Sequence, residues 1–315
     1  RGLGDVYKRQ HFISKKEIIM VQILMSTYNG EQYIREQLDS ILNQSYQDIQ
    51  IQIRDDGSSD GTIAILKGYS EKYDNIQYYV GENVGACASF FELFNYREYN
   101  ADYYATCDQD DVWMEDKIAV AVKRLENNDR VALYCCRTQL VDEHLRPLED
   151  HLRNYCPRPS FGNAMIENIC TGCTIVFNKK LYQMIRGKRP QHCVIHDMWL
   201  YQVASCFGVV IYDEQPHIYY RQHSGNVIGL DQSRIGLIKR QIQSLKRFRG
   251  KYTAQVREFC QMFELDGENR KLANIVASTQ TSWNARVDAL RERKIYRQGK
   301  FDNILFKLML FCGIL

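Results

Sequence analysis

From residue 21 onward, short apolar runs alternate with helical stripes. VQILMST (21–27) is an almost unbroken apolar run, the pattern of a strand buried on both faces. Ile34, Leu38, Ile41 and Leu42 then fall at i, i+4, i+7 and i+8, one stripe of a helix. IQIQIRDD (49–56) alternates strictly and ends in acid. DGSSDGT supplies turn chemistry, with Ser or Asp placed to cap a helix that Ile63, Leu66 and Tyr69/Ser70 continue. IQYYVG (76–81) reads as a third strand, and NVGACASFFELFNY (83–96) as a Gly turn and a helix. DYYATC (102–107) is a fourth strand running into DQDD, residues 116–127 a helix, and VALYCC (131–136) a fifth strand. This alternation predicts βαβ units around a mostly parallel sheet, an α/β fold with ligands at the carboxyl ends of its strands. Further on, CTGCTIVF (170–177) reads as a strand, HDMWLYQVASCF (196–207) as a helix and GVVIYD (208–213) as a short strand. Beyond about 233 the pattern is helical and basic. Ile238, Ile242 and Leu245 make one stripe among Lys239, Arg240, Lys246, Arg247 and Arg249, and Trp283, Val287 and Leu290 make another.

Charge sharpens this division. Residues 1–232 hold 24 Lys+Arg against 31 Asp+Glu, a net of −7, while residues 233–315 hold 17 against 7, a net of +10. An acidic body with a basic tail points to an anionic partner for the tail, a membrane face before a nucleic acid, because no reading motif is present; the plainer alternative is a solvated helical face. At 315 residues and 45% apolar composition the chain is globular and needs no disulfide scaffold. Eleven scattered Cys and no visible secretory signal fit free thiols in a reducing compartment. Cys170–Cys173, flanked by Cys156 and Cys193, is at most a weak zinc signal, since a second C-x-x-C is missing. The longest apolar stretch, ILFKLMLFCGIL (304–315), could lie on a bilayer but is too short to cross one. The opening RGLGDVYKRQ lacks period and reads as a non-native lead, so residues 1–19 are set apart from the fold.

The chemistry gathers at predicted strand ends. Asp108, Asp110 and Asp111 crowd three carboxylates after the fourth strand, a repulsion that a divalent cation would relieve; oxygen donors suit Mg²⁺ or Mn²⁺. The plainer alternative is that Asp111 or Asp116 caps the next helix. Asp55 and Asp56 can accept from a ribose hydroxyl or a base N–H, or serve as turn and cap residues. Tyr28 in STYNG offers a face to a nucleobase, or is simply an edge tyrosine. Asp197 stands at a helix start, as an N-cap or as a base in a pocket. In YRQHSGN, Arg221 and His223 suit a phosphate-binding flap.

STYNG, IRDDGSSDGT, ENVGACASF, CDQDDVW, TGCT, HDMW and YRQHSGNVIG, in that order over about 21–230, resemble the family-2 glycosyltransferases. Within them the set is most similar to bacterial rhamnosyltransferases of cell-wall rhamnan, O-antigen and capsule synthesis. The resemblance implies a GT-A domain over 20–232, with a nucleotide half about 20–112 and an acceptor half about 113–232, followed by a basic helical region over 233–315. It implies inverting, metal-dependent transfer from a nucleotide sugar, dTDP-rhamnose or a UDP-hexose, to a lipid-linked saccharide at the cytoplasmic membrane face. By the same resemblance Ser26, Tyr28, Asp55, Asp56, Asn83, Gly85, Asp108 and Arg221 would bind the donor. Asp108, Asp110 and His223 would hold Mg²⁺ or Mn²⁺, and Asp197 would be the general base. Asp111, Trp113, Thr171, Gly172, His196 and Trp199 would line the acceptor side. His196 replaces the family's usual glutamate before Asp197, and YRQH replaces the Q-x-x-R-W of processive synthases. A nucleotidyltransferase is disfavoured because STYNGEQY carries no Gly-rich phosphate loop, and a decayed binding module because the acidic set is complete.

Overall fold

The computed structural model describes residues 19–149, 156–223 and 250–314. The first half follows the apolar pattern closely: β1 (Val21–Thr27), α1 (Ile34–Leu42), β2 (Ile49–Asp55), α2 (Thr62–Lys72), β3 (Ile76–Val80), α3 (Ala86–Tyr96) and β4 (Tyr103–Cys107). Next come β5 (Val112–Trp113), α4 (Lys117–Leu125), β6 (Val131–Val141), α5 (Phe161–Ala164), β7 (Val176–Asn178), α6 (Lys179–Ile185), α7 (His196–Phe207) and β8 (Gly208–Arg221). The described C-terminal helices are α8 (Lys251–Met262), α9 (Gly267–Ser278), α10 (Trp283–Arg291) and α11 (Lys300–Cys312).

The strands form one sheet in the order β3-β2-β1-β4-β7-β6-β8-β5. The β3-β2-β1-β4 half is wholly parallel. The other half is mixed, because β7 runs antiparallel to both β4 and β6, and β5 antiparallel to β8, while β6 and β8 are parallel. The sheet buries both faces. Along β1, Val21, Ile23 and Met25 enter the apolar cluster that holds Ile34, Leu38 and Leu66, while Leu24 enters the opposite cluster with Phe90, Phe94 and Trp199.

Three elements differ from the sequence reading. The strict alternation of β2 suggests a half-exposed strand, yet Gln52, Arg54 and Asp55 are buried as well. Polar partners make this tolerable: Gln52 Nε2 donates to Gln77 O at 3.3 Å and Arg54 pairs with Asp56. Of CTGCTIVF only Val176 and Phe177 are strand, in the short β7 that ends at Asn178. Before it the chain closes a tight turn, with Thr174 N on Thr171 O at 2.8 Å and Ile175 N on Gly172 O at 3.1 Å. The short strand after α7 instead runs 14 residues to Arg221, held along its length by β6.

The stripe at 238–245, with Lys239, Arg240, Lys246, Arg247 and Arg249, lies outside the described residues. In α10 the fully buried positions are Ala285 and Ala289; of the Trp283–Val287–Leu290 stripe, Leu290 packs against the core half-buried while Trp283 points outward. Helices α8 to α11 join the core of the body: Phe259 lies 5.5 Å from the Trp199 ring and 5.7 Å from Phe161, and Phe306 and Leu310 belong to the same cluster. Removing 233–315 would therefore strip apolar cover from Trp199 as well as charge from the tail. The contact is close at Gly162, where an added Cβ would stand 2.0 Å from Lys294 O. Gly162→Ala is expected to lower stability by roughly 1–3 kcal/mol, as overpacking against backbone does, which a thermal melt checks.

Candidate active site

Three loops at the carboxyl end of the parallel half are wired together by buried polar contacts. Ser26 Oγ, at the end of β1, donates to Ser89 Oγ on α3 at 2.7 Å. The Arg54 guanidinium reaches the same Ser89 Oγ at 3.0 Å, Glu82 O at 2.8 Å, and the Asp56 carboxylate. Asp56 in turn accepts from Val84 N at 3.0 Å and Gly85 N at 2.8 Å. Gly85 stands at φ +81°, ψ 156°, a region essentially closed to other residues, and opens α3. Ser26, Asp56, Asn83 and Gly85 are thus brought to one place, with Tyr28 beside them and about half exposed. Asp55 is not free there: it is fully buried and accepts from Gly57 N, Ser58 N and Ser58 Oγ, so its carboxylate is committed to the turn.

The β1 loop is fixed by a residue that sequence reasoning passed over. Gln109 Oε1 accepts from Thr27 Oγ1 at 2.6 Å and Tyr28 N at 2.8 Å, and its Nε2 donates to Tyr28 O at 3.0 Å. It stands between the acidic residues and ties their loop to Tyr28. Arg54 and Ser89 were missed too. Arg54 occupies one of the alternating polar positions of β2, and a lone Ser inside an apolar helix carries little signal.

The acidic residues do not act as caps. Asp116 holds the N-cap position of α4 without a capping bond and instead meets His217 Nδ1 at 2.9 Å. Asp111 is buried; its Oδ1 accepts from Arg221 N at 3.1 Å, and its Oδ2 has no hydrogen-bond partner. Ligand atoms of Asp108, Asp111 and Cys173 all lie within 4.8 Å of one another. Asp110 Oδ2 meets His223 Nε2 at 2.9 Å. Burial, then the neighbouring carboxylates Asp110, Asp111 and Asp197, push the Asp108 carboxyl well above the usual range. Burial and Asp110 push Asp111 up to about 7.

The resident countercharge is Lys117, fully buried, its Nζ donating to Cys173 O at 2.7 Å and lying 3.0 Å from the Trp113 ring centroid. Burial lowers its pKa to about 8. Lys117 shares the inward stripe of α4 with Ala121, so helical period placed it inside, although a Lys at that position reads as surface. Arg221 also reaches this loop but is paired with Glu36, so Lys117 faces Asp108, Asp110, Asp111 and Asp197 in a pocket rich in oxygen donors, with one imidazole at its edge. These residues fit a hard divalent cation. A four-thiol zinc site does not form among the described residues. Cys170 instead lies 3.1 Å from Cys135 Sγ in the core, and Cys173 faces the acids, its thiol raised by burial.

Asp197 is the second residue of α7, not its cap, which is Ile195. Its Oδ1 accepts from Met198 N at 2.6 Å. Burial raises its carboxyl to about 7, against hydrogen bonds from Met198 N, the Asn168 side chain and Gly172 N. Asn168 Oδ1 accepts from Cys170 N at 3.0 Å, so this side chain, missed in the sequence, braces both the loop and the acid. Gly172 completes the contact: its carbonyl accepts from Thr106 Oγ1 at 2.6 Å, and a Cβ there would come 2.9 Å from His196 Nε2 and 3.5 Å from Asp197 Oδ2. Thr171 precedes it and accepts from Thr174. His196 is buried, stacked 3.8 Å from Phe90, with neither ring nitrogen partnered; burial lowers its pKa to about 3, so it is neutral. Gly172→Ala is expected to displace these side chains and cut activity more than it lowers the melting temperature, which parallel kinetics and melts check.

Three other candidates are placed away from a ligand. Trp199 is fully buried among Phe91, Phe259 and Phe263, and Trp113 lies under Lys117, so neither offers a face to an acceptor. Arg221 is 2% exposed, its guanidinium donating to Asp110 O at 2.9 Å, Glu143 O at 2.6 Å and Glu36, over the Tyr33 ring. It holds the acidic loop rather than presenting a free fork to phosphate.

The family model for "Glycosyl transferase family 2" matches residues 22–186. The chain belongs to glycosyl transferase family 2. This family-2 chain is 32% identical to the dTDP-rhamnosyl transferase RfbG of Shigella flexneri over 232 residues, 68% of this chain and 79% of that protein. It is 28% identical to the uncharacterized glycosyltransferase RP339 of Rickettsia prowazekii, over 60% of each. In fold it is similar to S. aureus TarS 1–349 in complex with UDP-GlcNAc, at TM-score 0.58 and 15% identity, covering 82% of this chain and 71% of that one. The mannosyltransferase PcManGT of Pyrobaculum calidifontis, in complex with GDP-Man and Mn²⁺, aligns at TM-score 0.50 and 15% identity over 93% and 85%. The fold is GT-A, as the sequence resemblance implied.

Proposed function

We propose that this glycosyltransferase moves L-rhamnose from dTDP-rhamnose to a lipid-linked saccharide with inversion, in cell-surface polysaccharide synthesis. The observation that carries the reading is that Gly172, packed against Asp197, is followed directly by Cys173, whose sulfur lies within 4.8 Å of carboxylate oxygens of Asp108 and Asp111, so the acid and the acidic cluster border one site. The similarity to RfbG favours the rhamnosyl donor. Ser26, Tyr28, Asp56, Asn83 and Gly85 hold the nucleotide, with Arg54 and Gln109 fixing their loops. Asp197 takes the proton from the acceptor hydroxyl, whose oxygen attacks the anomeric carbon from the face opposite the diphosphate. The bond from that carbon to the diphosphate oxygen breaks, and the nucleoside diphosphate leaves with the electron pair. Asp108 and Asp110, with His223 at the edge, would hold Mg²⁺ or Mn²⁺, which supplies positive charge to the leaving group when bound. Gly172, Thr171 and His196 shape the acceptor side. The lipid-linked acceptor brings the enzyme to the inner membrane face.

A panel of dTDP- and UDP-sugars with lipid-linked acceptors, read by mass spectrometry, tests this. A product mass gain of one deoxyhexose from dTDP-rhamnose alone supports the rhamnosyl reading. Transfer from a UDP-hexose alone replaces that donor and leaves the mechanism standing.

A further inference from the structure

Of the ten large apolar side chains exposed among the described residues, five lie on α10 and α11: Trp283, Phe301, Ile304, Leu308 and Phe311, each 53–60% exposed. Residues 301, 304, 308 and 311 follow helical spacing along one face of α11, while Phe306, Met309 and Leu310 anchor the other face in the core. Trp283 extends the patch from α10, its ring 5.2 Å from Phe311. Lys300 and Lys307, seven residues apart, border the stripe along one edge. From Trp283 to Ile314 there are seven Lys and Arg against three Asp and Glu. A contiguous apolar face of this kind marks an interaction surface.

We propose that this face seats the enzyme on an anionic phospholipid bilayer by burying Trp283, Phe301, Ile304, Leu308 and Phe311 among the lipids, with Lys300 and Lys307 at the headgroups. Charge selects this occupant. A second copy docked through the same patch would set two basic surfaces against each other, whereas an anionic leaflet complements both the apolar stripe and its rim. The 13-residue helix is about 20 Å long, short of the roughly 30 Å hydrocarbon core, so it lies in the interface plane. This deepens the reading of a lipid-linked acceptor, but vesicle binding requires no transfer, so the two fail separately.

The chain carries its own probe. Trp113 and Trp199 are buried at 3% and 0% exposure, so Trp283 is the tryptophan that a bilayer can reach. Full-length protein is mixed with vesicles of phosphatidylglycerol and phosphatidylcholine. Emission should shift to the blue and be quenched by lipids brominated on their acyl chains. High salt should weaken binding without abolishing it, because apolar burial is not screened. Ile304→Ser with Leu308→Ser, both on exposed positions, should weaken partition at least about tenfold at an unchanged melting temperature. The proposal is overturned if the parent shows no acyl-chain quenching, if salt abolishes binding entirely, or if the double variant binds like the parent. A concentration-dependent dimer that the double variant loses, without vesicle binding, would assign the face to a second copy instead. Quenching of the parent decides the matter even if the double variant fails to fold.

Discussion

Asp197→Asn is expected to abolish sugar transfer while leaving donor affinity within about threefold, since a base acts on the acceptor hydroxyl and not on the nucleotide. Donor titration and product formation on the same preparation measure both. The pH profile should agree. Asp197 is raised to about 7 by burial, so the parent's transfer should fall as pH drops through that value and the base becomes protonated. The stability sign is opposite. A carboxyl whose folded pKa lies above its unfolded value makes its ionisation cost stability above that range, so the Asn variant should melt no lower than the parent at pH 8. Asp197 sits inside the first turn of α7 and not at its cap, so simple loss of a capping bond does not predict this combination. An Asn variant that still transfers sugar would remove Asp197 from the mechanism, and Asp197→Ala run beside it controls for the amide.

Asp110→Asn should lower turnover by at least about 100-fold, the scale of losing one transition-state electrostatic contact. Excess chelator should do the same to the parent, with activity restored by Mg²⁺ or Mn²⁺. The reason lies in the charge balance of the pocket. Burial and mutual repulsion raise Asp108 and Asp111, so these acids ionise together only at a cost that a divalent cation would offset. Calorimetry with Mn²⁺ alone provides a second readout: the parent should bind and the Asn variant should bind more weakly. Full activity in excess chelator would sink the metal reading.

Much of this molecule is legible without coordinates. Apolar runs and stripes fix β1 to β4 and the helices between them, because one chain position faces one environment when burial has a period of 2 or 3.6. The strand ends, and with them the acidic cluster, follow from the same pattern, whereas Asp197 is singled out by the family resemblance. What the tertiary structure alone decided is where polar side chains point. Arg54 and Lys117 lie inside because a carboxylate, two carbonyls and a ring face wait for them, partners distant in sequence. Asp55 and Arg221, chemically suited to a ligand, are spent on turns and loops. Trp199 packs into the core, while Trp283, equally apolar, stays outside. Period assigns a residue to a face, but only packing of one element on another determines whether that face is covered.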